Sequence, residues 1–377
     1  MSLMFSGCNN LKYIDLASFD TKSANNMRGM FQSCINLDYL DFSNFDTRNV
    51  IDMSYMFNEC KNIKNINVNN FDTRNVTNMS YMFSQCENIK NINVNNFDTR
   101  NVTDMTGMFS ECKNLNNLDL FKFITKEIYS FNTEKVTDIS YMFYNCKNLS
   151  ILNVRYFDTK NVTNMKCIFY NCEKLSKLDL FYFDTKNVID MSFMFGGCVN
   201  MNHLLIKNFK TKNVKTMESM FEKCEKLNNL DLSSFNTENV TNIKFMFNKC
   251  KRLKSLNLKS FDTRNVKNMD HMFSECYKLA SLDLSSFNTG NVINMEAMFN
   301  NCTNLNYIDL SSFDTKNVTT MEAMFKCCYK LKDLDLSSFD TKNVTKIDGI
   351  FFGCAEKILN SYKLKFTNFN YDDLIKF

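Results

Sequence analysis

The sequence predicts an α/β solenoid of about 13 to 14 turns, each 26 residues long. Three observations support this prediction. The stretch Leu305–Lys330 recurs with modest changes along nearly the whole chain. A cysteine marks the same position in each copy, and each copy joins an alternating leucine pattern to a run with helical spacing. Because a fixed period between ~20 and ~50 residues is typical of stacked repeats, we expect short parallel strands on the inner face and short helices on the outer face.

The spacing of the cysteines gives the register of the repeat. Successive repeat cysteines are 26 residues apart from Cys8 to Cys112 and again from Cys146 to Cys354. Between Cys112 and Cys146 the spacing is 34, which indicates an insertion of eight residues within 121–130. The repeat pattern ends after Cys354.

These limits predict the domain organisation. We expect residues 1–354 to form a single repeat solenoid and residues 355–377 to form its C-terminal cap. No matching cap precedes Met1, which already occupies a repeat position. The sequence therefore indicates either a fragment of a longer protein or a chain that starts without a cap. An uncapped first turn would also offer a surface for end-to-end self-association.

Each copy divides into two halves with different periods. In one copy Leu230 and Leu232 alternate with Asp231, which is the pattern of a short strand with one buried face. The second half places its apolar residues on one helical face, and Asn239 stands where it would cap that helix. These apolar residues are Val240, Ile243, Met246, Phe247, Cys250 and Leu253. Because helices stack at ~9 Å and strands at ~4.8 Å, we expect the body to curve with the strands inside.

A threonine recurs at the corner between the two halves, as at Thr47 and Thr341. A basic residue usually follows it, so we expect a hydrogen bond at the corner rather than a flat array of hydroxyl groups. Asp314 and Lys316 represent an acidic row beside a basic row. Each such pair is expected to contribute less than ~1 kcal/mol to stability.

Composition and charge exclude several classes of function. Lys and Arg number 45 and Asp and Glu number 41, so the net charge of +4 gives no reason to propose a nucleic-acid partner. No apolar run of about 18 residues occurs, so no membrane span is expected. The first residues do not join a basic segment to an apolar one, so the chain shows no secretory signal.

The cysteines and histidines do not form a metal-binding pattern. The chain has 16 cysteines without a C-x-x-C pair, and its histidines are His203 and His271. We expect the repeat cysteines, one in each copy from Cys8 to Cys354, to be small buried thiols, which we call the ladder cysteines. Disulfides between repeats are the alternative. The acidic column of Asp283, Asp309 and Asp335 leaves calcium binding open. No nucleophile–base pair or phosphate-binding loop is recognisable, so we predict that the protein is not an enzyme and uses no cofactor or metal.

Positions that break the repeat are the candidates for partner binding. The pair of residues that follows each strand is two serines in several repeats, as at Ser285 and Ser286, but aromatic residues stand there near the insertion. On the outward strand positions, apolar residues replace Asn, Ser or Asp. Exposed aromatic clusters mark interaction sites more often than chance, although the insertion could instead fold over them. We predict a partner-binding patch made of Phe121, Phe123, Ile151, Tyr156, Phe181, Tyr182 and Leu205.

Two segments of the chain, NVTNMSYMFSQCENIKNINVNNFDT and NVTTMEAMFKCCYKLKDLDLSSFDT, carry a resemblance to a known family. They resemble the 26-residue repeat of bacterial surface proteins, which is the BspA-like branch of the leucine-rich repeats. The resemblance extends from Met1 to Cys354. It implies a leucine-rich-repeat solenoid, extracellular display as in lipoproteins and wall-anchored proteins, and a role in adhesion or host contact. It implies no catalytic residues.

Two functions are compatible with these features. The first is a non-enzymatic protein-interaction or adhesion module at the cell surface, with a protein or glycan ligand such as one on a host surface. The family resemblance favours it. The alternative is an intracellular structural or scaffold repeat protein in the cytoplasm. The many thiols and the absence of a visible signal favour that alternative.

Overall fold

The computed structural model describes residues 1–124, 127–155, 157–358, 366 and 369–376. The chain forms two compact units, the N-terminal unit Met1–Val188 and the C-terminal unit Ile189–Phe377. Each unit is a stack of repeat turns. The expected boundary between a solenoid of residues 1–354 and a cap of residues 355–377 stays a prediction.

Short parallel strands form where the leucines alternate, as predicted. In the N-terminal unit β1 (Asn117–Asp119) pairs with β4 (Ile151–Asn153), and Leu118 lies opposite Leu152. In the C-terminal unit β7 (Ser281–Asp283) pairs with β8 (Tyr307–Asp309), and Leu282 lies opposite Ile308, one period along the chain. The central side chain of most of these strands is buried while its two neighbours face outward, which explains the two-residue period. The strands are β1 (Asn117–Asp119), β4 (Ile151–Asn153), β5 (Lys177–Asp179), β6 (His203–Leu205), β7 (Ser281–Asp283) and β8 (Tyr307–Asp309).

The insertion is an antiparallel hairpin in the N-terminal unit. Strand β2 (Phe121–Ile124) pairs with β3 (Glu127–Ser130), and Phe121 lies opposite Ser130. Phe131 follows directly and its amide donates to the carbonyl of Leu120 at 3.3 Å. The chain therefore leaves the repeat after Leu120 and re-enters it at Phe131, as the spacing of the cysteines predicts.

The segments that the sequence predicts as outer helices are not helical in the described turns. In residues 53–60, the amides of Tyr55 and Phe57 donate to carbonyls of the next turn, at Ser80 and Met82, each at 2.9 Å. A helix would direct these amides to the carbonyl four residues back in the same segment. The alternate amides close tight turns by donating to the carbonyl three residues back, as from Met56 to Met53 and from Asn58 to Tyr55. The expectation of short helices on the outer face is therefore wrong, because two successive tight turns place the same apolar positions on one side as a helix would.

Each of these segments contains two residues in the left-handed backbone region. In residues 53–60 they are Tyr55, with φ of 59°, and Glu59, with φ of 62°. A side chain branched at Cβ rarely adopts this conformation. None of the equivalent residues is Val, Ile or Thr, which is the sequence signal that would have indicated turns instead of helices. The first column is Leu3, Gly29, Tyr55, Tyr81, Gly107, Tyr141, Cys167, Phe193, Ser219, Phe245, His271, Ala297, Ala323 and Gly349.

Without helices, the turns stack closely on the methionine and cysteine side. In the C-terminal unit the rings of Phe221 and Phe247 are parallel, with centroids 5.7 Å apart. At the corner after the strand, the rings of Phe235 and Phe261 are 6.4 Å apart. The expected spacing of ~9 Å between turns on this side is wrong. The argument that the body curves with the strands inside depended on that spacing, so it no longer holds.

The polar columns hold successive turns together. The hydroxyl of Thr47 donates to the carbonyl of Asp72 at 3.0 Å and accepts from the amide of the same residue at 2.7 Å. This confirms the corner hydrogen bond predicted for the threonines. Asn239 does not cap a helix, because its side-chain amide donates to the carbonyl of Lys212, at 2.9 Å in the previous turn. Arg100 pairs with Asp98 at 2.6 Å, as the acidic and basic rows predict.

At the C-terminal end, the helix α1 (Tyr371–Ile375) takes the place of a further turn. The amides of Gly349 and Phe351 donate to the carbonyls of Asp373 and Leu374, at 2.8 and 3.1 Å. In the previous turn, the equivalent amides donate to repeat residues. The ring of Phe366 packs edge-on against Phe351, with centroids 5.7 Å apart. No helix in the described residues is long and apolar enough to cross a membrane.

Candidate functional site

The predicted patch begins on the strand side of the N-terminal unit. Ile151 is the first residue of β4, and 64% of its surface is exposed. Phe181 and Tyr182 follow β5, where most turns have small or polar residues, and 55% of Tyr182 is exposed. The carboxylate of Asp179 accepts the amide of Phe181 at 3.0 Å, and this bond turns the chain directly after the strand. The turn leaves both aromatic side chains at the surface.

An arginine one turn earlier orders these rings. The guanidinium carbon of Arg155 lies 5.3 Å from the centroid of the Tyr182 ring. One of its nitrogens, Nη2, donates to the Tyr182 hydroxyl at 3.5 Å. The ring of Phe181 meets that of Tyr182 edge-on, with centroids 5.2 Å apart. A cation over an exposed aromatic ring contributes roughly 0.5–1 kcal/mol, so the patch is partly ordered before a partner arrives.

Arg155 is the residue that the sequence-based patch lacks. Its guanidinium contacts Tyr182 from a position 27 residues earlier, which is one turn plus one residue. The sequence signal was present, because Arg155 replaces the usual serine in its own turn. Only the stacking of the turns shows that Arg155 reaches the next aromatic residue.

Three predicted residues of the patch cannot be placed by their side chains. Phe121 and Phe123 belong to β2, whose backbone is described, but their side chains lie outside the described part. Tyr156 lies outside the described residues. Their membership of the patch stays a prediction.

Leu205 belongs to the C-terminal unit. It ends β6 and lies in a shallow groove of about 550 Å³. His203, Leu230 and Asn257 also line this groove. Leu230 occupies a core position of the repeat but is only partly buried here, so the groove has an apolar floor. The structure thus describes the predicted residues in two parts, one in each unit.

The ladder cysteines offer little chemistry at neutral pH. From Cys34 to Cys328 they are buried, as predicted, and all are free thiols. Burial raises the pKa of Cys112 to about 12, which keeps this thiol neutral and poorly nucleophilic. Among the described residues, no group of three or more His, Cys, Asp or Glu side chains is arranged to hold a metal ion.

Comparison with known families places the chain among bacterial repeat proteins. The family model described as "Mycoplasma protein of unknown function, DUF285" matches residues 1–123, 118–205, 168–280 and 248–365. The chain belongs to the DUF285 family. This match, together with the shared fold described next, confirms the suspected relationship to the bacterial leucine-rich repeats. No curated protein matches this DUF285 chain.

Solved structures show the fold of this DUF285 chain. A leucine-rich repeat protein from Bacteroides ovatus is 17% identical, with a TM-score of 0.51, and the match covers 93% of this chain and 85% of that one. A leucine-rich repeat protein from Eubacterium ventriosum is 18% identical, with a TM-score of 0.39, and the match covers 84% and 87%. The first likeness shows that the chain has a leucine-rich-repeat solenoid fold.

Proposed function

We propose that the chain is a non-enzymatic protein-interaction module whose partner binds the aromatic patch of Ile151, Arg155, Phe181 and Tyr182. The observation that carries this proposal is the exposure of two adjacent aromatic rings where most other turns have small or polar residues. Tyrosine and arginine are the side chains that most often dominate the binding energy of an interface. The Arg155–Tyr182 contact lowers the entropy that a partner must remove on binding.

Surface display and adhesion are the finer parts of this proposal. They rest on the resemblance of the repeat to BspA-like surface proteins, together with its membership of a bacterial repeat family. The ligand is a protein, with a surface glycan as the competing outcome. Phe121, Phe123 and Tyr156 are proposed to extend this contact in the N-terminal unit, and Leu205 is proposed to bind a partner separately in the C-terminal unit.

One observation favours the alternative of an intracellular scaffold. The repeat cysteines are free thiols, and cysteines that persist as thiols are typical of reducing compartments. Protease treatment of intact producing cells separates the two. A surface protein is degraded, whereas an intracellular one survives until the cells are lysed.

A photo-cross-linking residue tests the binding site itself. We would place it at Tyr182 and, as a control, at Tyr307, a similarly exposed tyrosine on β8 of the C-terminal unit. The purified proteins are irradiated with intact producing cells and with cultured host cells. We expect a discrete, protease-sensitive adduct from position 182 alone. Equal adducts from both positions, or none from position 182, would contradict the proposed site.

A further inference from the structure

A second surface lies on the turn segments of the N-terminal unit, which carry the methionines and cysteines. Four tyrosines and two glutamates line a shallow groove of about 530 Å³ together with polar side chains. We call this surface the tyrosine groove. It consists of Tyr55, Glu59, Tyr81, Glu111, Tyr141 and Tyr144.

Ring contacts within and between turns hold the tyrosine side chains in place. Tyr55 stacks on Tyr81 with centroids 5.0 Å apart and planes 18° apart. Tyr141 meets Tyr144 edge-on at 5.7 Å, and Tyr144 stacks on Tyr170 at 5.4 Å. Tyr55, Tyr81 and Tyr141 all occupy the first of the two positions of each turn that adopt the left-handed backbone conformation, which we call the left-handed column. Backbone geometry as well as packing therefore limits their movement.

Gly107 shapes the groove, because it interrupts the tyrosine column between Tyr81 and Tyr141. A Cβ atom added at Gly107 would lie 2.6 Å from Cδ1 of Tyr81. The Tyr81 ring therefore lies over the bare backbone of Gly107. The backbone itself does not require glycine, since Ala297 and Ala323 occupy the same column with φ of 49° and 53°.

The groove is acidic, because the described residues that line it include two glutamates and neither lysine nor arginine. A carboxylate oxygen of Glu59 accepts the hydroxyl of Ser33 at 2.9 Å, and one of Glu111 accepts the side-chain amide of Asn145 at 2.7 Å. Lys113 approaches the other oxygen of Glu111 at 3.7 Å. Two carboxylates thus face the groove, and Lys113 compensates part of the charge of Glu111.

The phenol groups of Tyr81 and Tyr144 stay neutral in this setting. Burial, followed by the negative charge of Glu111, raises the pKa of Tyr144. Burial also raises the pKa of Tyr81, with the neighbouring tyrosines Tyr55 and Tyr141 adding to the shift. Tyr81 and Tyr144 therefore keep their hydroxyl protons as hydrogen-bond donors at neutral pH.

At one end of the row of tyrosine rings, Arg28 shows which kind of side chain binds such a ring. The guanidinium carbon of Arg28 lies 4.7 Å from the centroid of the Tyr55 ring. Its Nη1 donates to the hydroxyl of Ser54 at 2.8 Å. A cation from a neighbouring turn thus binds the first ring of the row, whereas the carboxylates of Glu59 and Glu111 lie further along it.

We propose that the tyrosine groove binds a lysine or arginine side chain carried by an extended basic segment of a partner protein. Aromatic faces and carboxylates are the two groups that recognise such cations, and complementary charge directs a partner to one site. This surface is separate from the patch of Phe181 and Tyr182, and its failure would leave the function proposed for that patch intact.

Peptide binding to the full chain tests the proposal. The probe is a fluorescent peptide of three Gly-Lys units, with Gly-Glu and Gly-Ser peptides of equal length for comparison, followed by fluorescence anisotropy at low salt. We expect saturable binding of the lysine peptide alone. Absence of binding, or equal binding of the Gly-Glu or Gly-Ser peptide, would overturn the proposal.

Two variants locate the binding. Glu59→Gln with Glu111→Gln removes the charge and preserves the shape, and Gly107→Ala displaces the Tyr81 ring. We expect each to weaken lysine-peptide binding about tenfold, which corresponds to ~1.4 kcal/mol. Glu134→Gln with Glu173→Gln makes the same change of charge on the same unit, at glutamates that pair with Lys160 and Lys147. If this control weakens binding as much as the groove variants do, the peptide responds to net charge and the proposal is wrong.

Discussion

The thiol of Cys60 donates a hydrogen bond to the carbonyl of Phe31, 3.2 Å away in the preceding turn. The same bond recurs in the C-terminal unit, from Cys250 to Phe221 at 3.1 Å. Each of these thiols is buried and linked to its neighbour turn, so cysteine acts here as a structural residue. The protonated thiol is the form that the fold requires, because a thiolate cannot donate.

Stability should therefore fall steeply at alkaline pH. Burial raises the pKa of Cys34 to about 11 and that of Cys112 to about 12, and it raises the pKa of Cys250 as well. In the unfolded chain a cysteine ionises near ~8.5, so this stabilisation is complete below that pH and is lost as pH rises towards the folded pKa values. Each thiol adds a slope of about 1.4 kcal/mol per pH unit. Urea unfolding in the presence of a reductant, between about pH 7 and 10, measures it.

A single variant checks that the thiols cause this slope. Cys250→Ala lowers stability at neutral pH by leaving a cavity, but it should also reduce the alkaline slope by one thiol's share. A free energy of unfolding that stays constant from about pH 8 to 10 would contradict this account.

Thiol labelling should distinguish the ends of the ladder from its interior. Cys8 is exposed and Cys34 is buried, although they occupy the same repeat position. With an excess of a thiol reagent in native buffer, we expect Cys8 to react within seconds and Cys34 to react only as the fold opens. Mass spectrometry of the labelled peptides gives the order. Ladder cysteines that remain unlabelled in denaturant without a reductant would instead reveal disulfides between turns.

The left-handed positions should respond to substitution in the opposite way to their neighbours. Lys223 has φ of 57°, so Lys223→Gly should stabilise the protein by about 1 kcal/mol and Lys223→Val should destabilise it by about 1–2 kcal/mol. At Lys226, outside the left-handed set, glycine should instead cost about 0.5–1 kcal/mol. Chemical denaturation of the three variants compares these effects. If glycine destabilises both positions equally, the segment is helical after all.

The corner threonines should carry more stability than their size suggests. Thr263 donates to the carbonyl of Asn288 at 2.9 Å and accepts its amide at 2.8 Å. Thr263→Val keeps the shape but removes the partner of both groups, at a cost of roughly 2–4 kcal/mol. Thr241→Val, at an exposed threonine with one bond of 3.2 Å to Lys215, serves as the control and should cost less than about 1 kcal/mol. Similar losses of stability at Thr263 and Thr241 would show that the corner hydrogen bonds contribute no more than the exposed one.

The sequence predicts most of the scaffold, because its period exposes which positions are equivalent. The strands around Leu118 and Leu282, the buried cysteines and the bonded corner at Thr47 all follow from that period. The turn segments do not, since a helix and two tight turns bury the same positions. Their left-handed residues, such as Tyr55, become visible only through the absence of β-branched side chains.

The candidate surfaces divide in the same way. Phe181 and Tyr182 are recognisable from the sequence, because they break the repeat. The contact of Arg155 with Tyr182 is not, because it depends on how far one turn lies from the next. The tyrosine groove escapes sequence analysis for a further reason: it requires the left-handed column and the bare backbone of Gly107 together.

In the proposed function, residues that depart from the repeat bind the partner, whereas the repeat itself builds the scaffold. The most direct test of this claim is the dissociation constant of the cross-linked partner for Phe181→Ser with Tyr182→Ser, where both positions take the residue of Ser285 and Ser286. The fold should tolerate this change, since other turns carry that pair. We predict binding at least about tenfold weaker than that of the unaltered protein, and no change beyond about twofold for Tyr307→Ser. Unchanged affinity of the double variant would contradict the claim.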